Sequence, residues 1–511
     1  MMAYSRSQTV CLTGFQGHPV TVEAHIAKGR PALVVTGLPD IALEQSKVRI
    51  FSAFTNSGLE WPDTYTVVNL LPASVRKSGS VCDLAIAAAI LAAGYTVPRD
   101  RLEGTVLLGE LGLDGQLQPV RGVLPCLLAA ERAGADTAIV PLRNLAEASL
   151  VSRLKCLGAN HLSEVVAFLR GEESLSATAP VVPEEPAAEL PDMADVVGQE
   201  TARRGLEVAA AGGHHLFLLG PPGAGKTMLA ERLPSILPPL DEAAALETTA
   251  LHSIAGTLKG THPRLLRRPP YSAPHHSVTM PAMVGGGTPL RPGAISMAHN
   301  GVLFLDECPE ARRDVLDALR QPLERGEILI SRARSSARFP ARIQLVLAAN
   351  PCPCAASSTE SCTCPAPRRH RYLSRLSGPL MDRVDIRIEV APVPMSAMLS
   401  ADAVPESSEV IAARVAEARR AARERWSDAE QEWRTNSEVP GPRLRAKPWR
   451  LPTSVTKTAD WLVETGQLTG RGYDRTLRMA WTLADLAGRD RPDSGDIAEA
   501  AGLRVGWLPP S

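Results

Sequence analysis

The chain has 511 residues, enough for two to four domains, and 44% of them are hydrophobic but only 4% aromatic, so its cores must be mainly aliphatic. Its 55 basic side chains balance 55 acidic ones, which excludes a protein coated in positive charge while leaving room for local basic surfaces that hold nucleic acid. No apolar run approaches the roughly 18 residues that span a bilayer, and MMAYSRSQTV lacks the apolar centre of a signal peptide, so a cytoplasmic protein with no membrane partner is expected.

In chain order, the first strand-like runs are residues 32–35 and 65–68, rich in β-branched side chains. Residues 83–93 read as an apolar, buried helix, 105–108 as a strand leading to a turn at Asp114 and Gly115, 125–133 as a helix and 137–140 as a strand. Residues 171–191, GEESLSATAPVVPEEPAAELP, have no apolar period and predict a linker that sets off a unit of residues 1–170. The next region opens with a helix at 200–211, a strand at 216–219, a glycine-rich loop and a helix from Lys226, and strands at 302–305 and 344–348 follow. This alternation predicts an α/β unit over 192–393, built on a parallel sheet covered by helices. From 394 to 511 the pattern is helical, with helices expected at 408–433, 454–465, 471–488 and 494–502.

The loop is Gly220, Pro221, Pro222, Gly223, Ala224, Gly225, Lys226 and Thr227, the pattern G-x-x-x-x-G-K-T between an apolar strand and a helix. Glycines let backbone N–H groups close around phosphate oxygens, and the helix presents its positive end. Lys226 is expected on the β- and γ-phosphates of ATP, and Thr227 on Mg²⁺. Asp306 and Glu307 end the apolar run 302–305, where acids emerge at the carboxyl edge of such a sheet. Asp306 is expected to hold Mg²⁺ through water and Glu307 to polarise the attacking water. Asn350, at the end of the strand 344–348, suits orienting that water near the γ-phosphate, or is a turn residue before Pro351. Arg383 either reaches a neighbour's γ-phosphate or makes a surface salt bridge.

Cys352, Cys354, Cys362 and Cys364 crowd one segment, and four thiolates suit tetrahedral Zn²⁺. Their C-x-C spacing is tighter than usual, so reduced structural thiols are the other reading. Cys11, Cys82, Cys126, Cys156 and Cys308 read as isolated small core residues. Two β-like arms flank a basic turn carrying Arg332, Arg334 and Arg338. His275 and His276 are adjacent, which rarely aims two rings at one ion, so loop-ordering roles are expected for both.

The stretches DVVGQETARRGLEVAAAGGHHLFLLGPPGAGKTMLAERLPSILPPL, APHHSVTMPAMVGGGTPLRPGAISMAHNGVLFLDE and RYLSRLSGPLMDRVDI resemble the ComM/YifB family of magnesium-chelatase-like AAA+ ATPases, and the resemblance covers nearly the whole chain. It implies an AAA+ core with a helical lid, assembled as a homo-hexamer. It implies an ATP-driven motor that promotes branch migration of DNA in recombination and natural transformation. On this resemblance Arg383 is the arginine finger and Arg471 the lid arginine called sensor 2, with Arg475 a second choice. The basic hairpin projects into the ring's channel, where Arg332, Arg334 and Arg338 bind DNA phosphates, against the plain alternative of a solvated tip.

GELGLDGQLQPVRGVLPCLLAAERAGADTAIVP resembles the proteolytic domain of Lon, which implies an α+β unit ahead of the core. A Lon-type protease needs a serine and a lysine. Val81 stands where the serine belongs and Leu124 where the lysine belongs; Ser78 and Ser80 are nearby. The unit is therefore expected to be non-proteolytic and to bind DNA or organise the ring. Two rival readings of the whole are a chelatase-type remodeller of a protein partner and an ATP-dependent protease.

Overall fold

The computed structural model describes residues 3–37, 40–75, 77, 80–179, 190–258, 264–287, 290–332, 335–356, 361–393, 405–427 and 433–506. Two sheets organise the chain, and each follows from a different burial pattern. The N-terminal sheet has seven strands in the order Ala32–Thr36, Tyr65–Leu71, Gln16–Ala27, Ala3–Thr13, Thr105–Leu107, Thr137–Pro141, Lys155–Ala159. Its centre is a long antiparallel hairpin, Ala3–Thr13 against Gln16–Ala27, paired from Ala3↔Ile26 to Thr13↔Gln16. The sequence pattern does not announce this hairpin, because the inward positions on its first strand are Ser5, Ser7 and Thr9 rather than aliphatic residues. The hydroxyls of Ser5 and Ser7 donate to the Ala89 and Ala85 carbonyls at 2.5 and 2.7 Å, which makes their burial tolerable. Those carbonyls belong to the helix Asp83–Ala93, every residue of which is buried, as its unbroken apolar run predicts.

The second sheet has five strands, all parallel, in the order Tyr271–Ser272, Gly301–Leu305, Ile343–Ala349, Leu216–Leu219, Ile386–Glu389. Their apolar residues are buried on both faces, as a helix-covered parallel sheet requires. Helices Glu200–Gly212 and Lys226–Ile236 pack in the same apolar cluster as Leu216, Leu218, Val346 and Ile388. Parallel register places the ends of Leu219, Leu305 and Ala349 at one edge, so the groups that follow those strands converge there.

The C-terminal part is helical, with Ser408–Trp426, Thr453–Glu464, Gly470–Leu486 and Ser494–Val505. The first of these ends seven residues before Trp433, the expected terminus. Trp426 turns inward instead: its ring meets Trp449 and Trp481 edge-on at 4.8 and 5.4 Å, and its indole N–H donates to Asn436 at 2.7 Å. Arg425 lies over Trp481 at 4.6 Å and pairs with Asp485. The α/β class, with a parallel-sheet core, a helical lid and a preceding α+β unit, is as expected. Backbone hydrogen bonds join the N-terminal unit to the core: Gly122 N–H donates to the Ser253 carbonyl at 3.3 Å, and Phe15 N–H donates to the Arg338 carbonyl at 3.2 Å. Among the described residues no helix is long and apolar enough to cross a membrane.

Candidate nucleotide site

The loop 220–225 leaves the end of the strand Leu216–Leu219 and enters the helix at Lys226. Gly220 passes so close to the neighbouring strand's end that an added Cβ would meet the Val390 carbonyl oxygen at 2.2 Å. Gly225 precedes the helix at φ +89°, a left-handed conformation that L side chains resist. Gln199, which sequence reasoning missed, straps the loop down: its amide donates to the carbonyls of Ala224 at 3.1 Å and Ala391 at 2.7 Å. The signal for it was polar GQE at the start of an otherwise amphipathic helix.

Lys226 is buried, and its ammonium donates to the Gly220 and Pro221 carbonyls at 2.7 and 2.9 Å and to Asn350 Oδ1 at 3.0 Å. Burial pushes its pKa down from the ordinary lysine range, and the nearby acids Asp306 and Glu307 oppose that. Asn350 is thus brought directly to the lysine, a contact its place at a strand end did not by itself predict. Thr227 Oγ1 donates to Asp306 Oδ2 at 2.7 Å, and Asp306 Oδ1 accepts from the Glu307 N–H at 2.8 Å. A hydroxyl and a carboxylate side by side are hard oxygen donors of the kind Mg²⁺ takes. Glu307 adopts φ +47°, uncommon for a residue with a side chain, and its Oε2 lies 3.1 Å from His276 Nδ1. The two histidines have different partners: His275 Nδ1 faces Ser277 Oγ at 2.8 Å while His276 Nδ1 faces Glu307.

Arg383 stands elsewhere. The strand Ile386–Glu389 runs parallel to Leu216–Leu219 in the register Leu216↔Ile386, Leu219↔Glu389. Arg383 precedes that strand, so it lies at the amino edge of the sheet while the loop 220–225 lies at the carboxyl edge. About 10 Å of strand separates the two edges. Its guanidinium pairs with Glu324 and donates to the Pro379 carbonyl. Burial pushes its pKa below the ordinary arginine range, and the positive neighbours Arg471, Arg475 and Arg320 push it further down. Arg475 is tied to the buried Asp385, leaving Arg471, one turn earlier and exposed, as the freer of the two lid arginines.

The four cysteines of 352–364 converge, their sulfur atoms all within 4.8 Å of one another. Cys352 Sγ lies 3.0 Å from Cys354 Sγ and 3.4 Å from Cys362 Sγ. The hydrogen bond from Cys352 brings the Cys354 thiol down to about 6. The basic arms form the hairpin Glu327–Arg332 with Ser335–Pro340. Ile328, Ile330, Ala337 and Phe339 are buried on one face, while Arg338 points out beside Glu327 at 3.7 Å with its side chain 72% exposed. Arg334 and the Arg332 side chain lie outside the described residues.

Three family descriptions match: "Magnesium chelatase, subunit ChlI" over residues 192–398, "Subunit ChlI of Mg-chelatase" over 22–144, and "Magnesium chelatase, subunit ChlI C-terminal" over 405–504. Competence protein ComM of Haemophilus influenzae is 40% identical over 510 residues, 99% of this chain and 97% of that one. The chain belongs to the ComM/YifB family. YifB of Escherichia coli is also 40% identical, over 99% of this chain and 97% of its own. An uncharacterised protein of Mycobacterium tuberculosis is 50% identical over 98% of this chain and 99% of its own. Membership of these magnesium-chelatase-like AAA+ proteins implies an ATPase.

Lon protease 3 of Sorangium cellulosum shares 29% identity over 169 residues, 31% of this chain and 20% of its own. Where that likeness falls, Val81 and Leu124 are packed in apolar clusters. Ser80 hydrogen-bonds Glu110, and Lys77, buried, donates to the Pro72 carbonyl; Ser78 lies outside the described residues. Two of the cysteines expected to be isolated are neighbours: the Cys11 and Cys82 sulfurs are 3.3 Å apart in the core, where the hairpin strand Ala3–Thr13 brings Cys11.

Proposed function

We propose that the chain is an ATP-driven DNA motor working as a homo-hexameric ring in the cytoplasm, and that it drives branch migration in recombination and DNA uptake. The observation that carries the reading is the division of the site between two sheet edges. Lys226, Thr227, Asp306, Glu307 and Asn350 converge at the carboxyl edge, while Arg383 and Arg471 lie at the amino edge. A group of positive side chains that cannot reach its own loop suits the γ-phosphate of the next copy around a ring.

In this reading the loop 220–225 and Lys226 hold the β- and γ-phosphates, and Thr227 and Asp306 hold Mg²⁺, which neutralises phosphate charge when bound. Glu307 draws the proton from the attacking water, Asn350 orients that water, and Arg383 with Arg471 meets the developing charge from the neighbouring copy. The hairpin of Glu327–Arg332 and Ser335–Pro340 presents Arg338 to DNA phosphates, and Arg332 and Arg334 are assigned the same role. Four thiolates around Zn²⁺ at about 2.3 Å would place their sulfurs about 3.8 Å apart, so the spread of 4.8 Å or less across Cys352, Cys354, Cys362 and Cys364 suits that ion in a structural role. The units 1–170, 192–393 and 394–511, joined through 171–191, would serve as a non-proteolytic scaffold, motor and lid.

The chelatase descriptions favour a second reading, a remodeller of a protein partner. Branched DNA separates the two. Wild-type protein should migrate a branch with ATP, and the triple change of Arg332, Arg334 and Arg338 to Ala should leave basal ATPase near normal. Every arginine–phosphate pair removed should lower the salt dependence of DNA binding by about one unit of slope. Branch migration at wild-type rate by the triple variant, with rings verified, removes the hairpin from the mechanism. No strand movement by the wild type favours the remodeller.

A further inference from the structure

We propose that the N-terminal unit braces the basic hairpin through its own turn at Gly14 and Phe15, and that Phe15 is a positioning residue for the hold of Arg338 on DNA phosphate. This rests on the reading of that hairpin as the DNA grip. The need for a brace is physical. Glu327–Arg332 and Ser335–Pro340 form a sheet of two strands only, and such a hairpin is marginally stable by itself in water. Its buried side, Ile328, Ile330, Ala337 and Phe339, leans on the apolar core around Leu303 and Leu345. Alternation along Ser335–Pro340 then turns Arg338 outward, between the buried Ala337 and Phe339.

The turn between Ala3–Thr13 and Gln16–Ala27 closes on the backbone at that position. Phe15 N–H donates to the Arg338 carbonyl at 3.2 Å. Gly14 takes φ +63°, and a Cβ added there would lie 2.7 Å from Ala337 Cβ and 3.0 Å from the Arg338 carbonyl oxygen. A residue without a side chain lets the two hairpins approach this closely. Leu12 and Phe15, both half-buried, pack on two apolar clusters at once. One holds Ile330 and Phe339 of the basic hairpin, and the other holds Val123 and Leu127 of the N-terminal unit. A grip on the backbone at Arg338 fixes where the guanidinium stands and leaves the guanidinium open to solvent.

The brace has a footing of its own. The helix Val123–Arg132 of the N-terminal unit meets the helix Glu242–Ala255 of the motor core, whose Ala250 is buried in the N-terminal unit's cluster. Gly122 N–H donates to the Ser253 carbonyl, and a Cβ added at Gly122 would lie 2.3 Å from Leu12 Cδ1 and 3.5 Å from Ile254 Cγ1. Glu147 accepts from the Leu124 N–H at 2.9 Å and from the Ser253 hydroxyl, which ties the two helices together. Leu12 therefore stands between this dock and the turn at Gly14. The N-terminal unit holds the motor core at the dock and the basic hairpin at the turn, and a movement of one against the other would be felt at Arg338.

The experiment is binding of a fluorescent single-stranded DNA oligonucleotide by the full-length protein across a salt series. The variants are Phe15→Ala, Phe15→Leu, Gly14→Asn and Arg338→Ala, with Phe15→Ala and Gly14→Asn each also combined with Arg338→Ala. Leu keeps apolar bulk at the turn; Asn tolerates positive φ but brings a Cβ against Ala337. Phe15→Ala and Gly14→Asn should weaken DNA binding about tenfold and lower the salt slope by about one unit, as Arg338→Ala does. Phe15→Leu should recover most of the affinity. Each double variant should bind no more weakly than Arg338→Ala alone, because both changes act on one contact. Losses that add to that of Arg338→Ala, or nucleotide binding that falls in step with DNA binding, would mark a general structural defect and overturn the proposal. Gly14→Asn with its double carries the same test should Phe15→Ala fold poorly. Arg338→Ala separates the two levels. If it binds DNA as the wild type does, the hairpin reading itself fails; if it binds weakly while Phe15→Ala and Gly14→Asn bind normally, only this inference fails.

Discussion

Around Lys226 polar groups converge on an open edge of a sheet; around Lys77 they are paired off inside the fold. Both regions contain a lysine, a hydroxyl and carboxylates close together in sequence or space. At the first, Thr227 and Asp306 are partly or fully exposed, and a Cβ added at Gly223 in the loop would meet nothing within 4 Å. At the second, Lys77 is spent on the Pro72 carbonyl and Ser80 on Glu110, while Asp83 is held by Arg49 at 2.6 Å and by Ser46. Chemistry needs groups whose hydrogen-bonding capacity a ligand can take over, and stability needs that capacity used up. In the N-terminal unit a similar set of groups is tied up in hydrogen bonds within the fold.

The largest expected effect breaks the comparison at the open edge. Lys226→Ala removes the cation that would meet two phosphates. Charged hydrogen bonds are worth about 1.5–3 kcal/mol each, so nucleotide affinity should fall roughly 10²–10⁴-fold by direct binding measurement. Glu307→Gln should bind ATP and lose turnover about 10²–10⁴-fold, because an amide cannot take the water's proton. Neither Arg383→Ala nor Glu307→Gln alone should hydrolyse ATP well, yet mixing them should restore part of the rate. In a mixed ring, an intact Glu307 in one copy can face an intact Arg383 from the next. No recovery at any ratio, with mixed rings shown to form, counts against a shared site.

The two regions also differ in how legible they were. The loop 220–227 and the pair Asp306–Glu307 are local patterns: strand, loop and helix are consecutive, so spacing alone brings their groups together. Asn350 required only that its strand lie beside Leu216–Leu219, as parallel sheets of this kind arrange. His276 was not legible, because its partner lies 31 positions away and no periodicity announces a contact between a loop and a strand end. The opening hairpin escaped because buried serines replace the expected aliphatic alternation and only the carbonyls of a distant helix explain them. The helix ending at Trp426 was overextended for a similar reason: the stop is set by a three-tryptophan core, not by a local breaker.

Cysteines sharpen the comparison. Cys11 and Cys82 are enclosed, and the Cys11 hydrogen bond together with burial pushes the Cys82 thiol well up. Cys354 is exposed and its thiol is brought down to about 6. A zinc site needs several sulfurs that converge on one point, which Cys352, Cys354, Cys362 and Cys364 provide and the pair Cys11 and Cys82 does not. Protein purified without chelator should carry about one zinc per chain by elemental analysis. The double change Cys352→Ser and Cys354→Ser should lose it, and Cys82→Ser should keep it. Equal zinc in both variants would place the ion elsewhere.

The smallest effect concerns the hydroxyl nearest the expected protease nucleophile. If the groups around Lys77 serve the fold alone, Ser80→Ala costs only its hydrogen bond to Glu110, about 0.5–1.5 kcal/mol of stability. It should leave ATPase and DNA-dependent rates as they are, and the wild type should show no peptidase activity. Asp83→Ala provides the contrast within the same segment. Asp83 is fully buried, with Arg49 as its partner. Removing one member of such a pair strands the other charge and costs about 3–5 kcal/mol. Denaturant unfolding of the two variants should therefore rank Asp83→Ala far below Ser80→Ala. Cleavage of an unfolded protein by the wild type, abolished in Ser80→Ala, would show that the hydroxyl is not spent after all, and the contrast between the two regions would collapse.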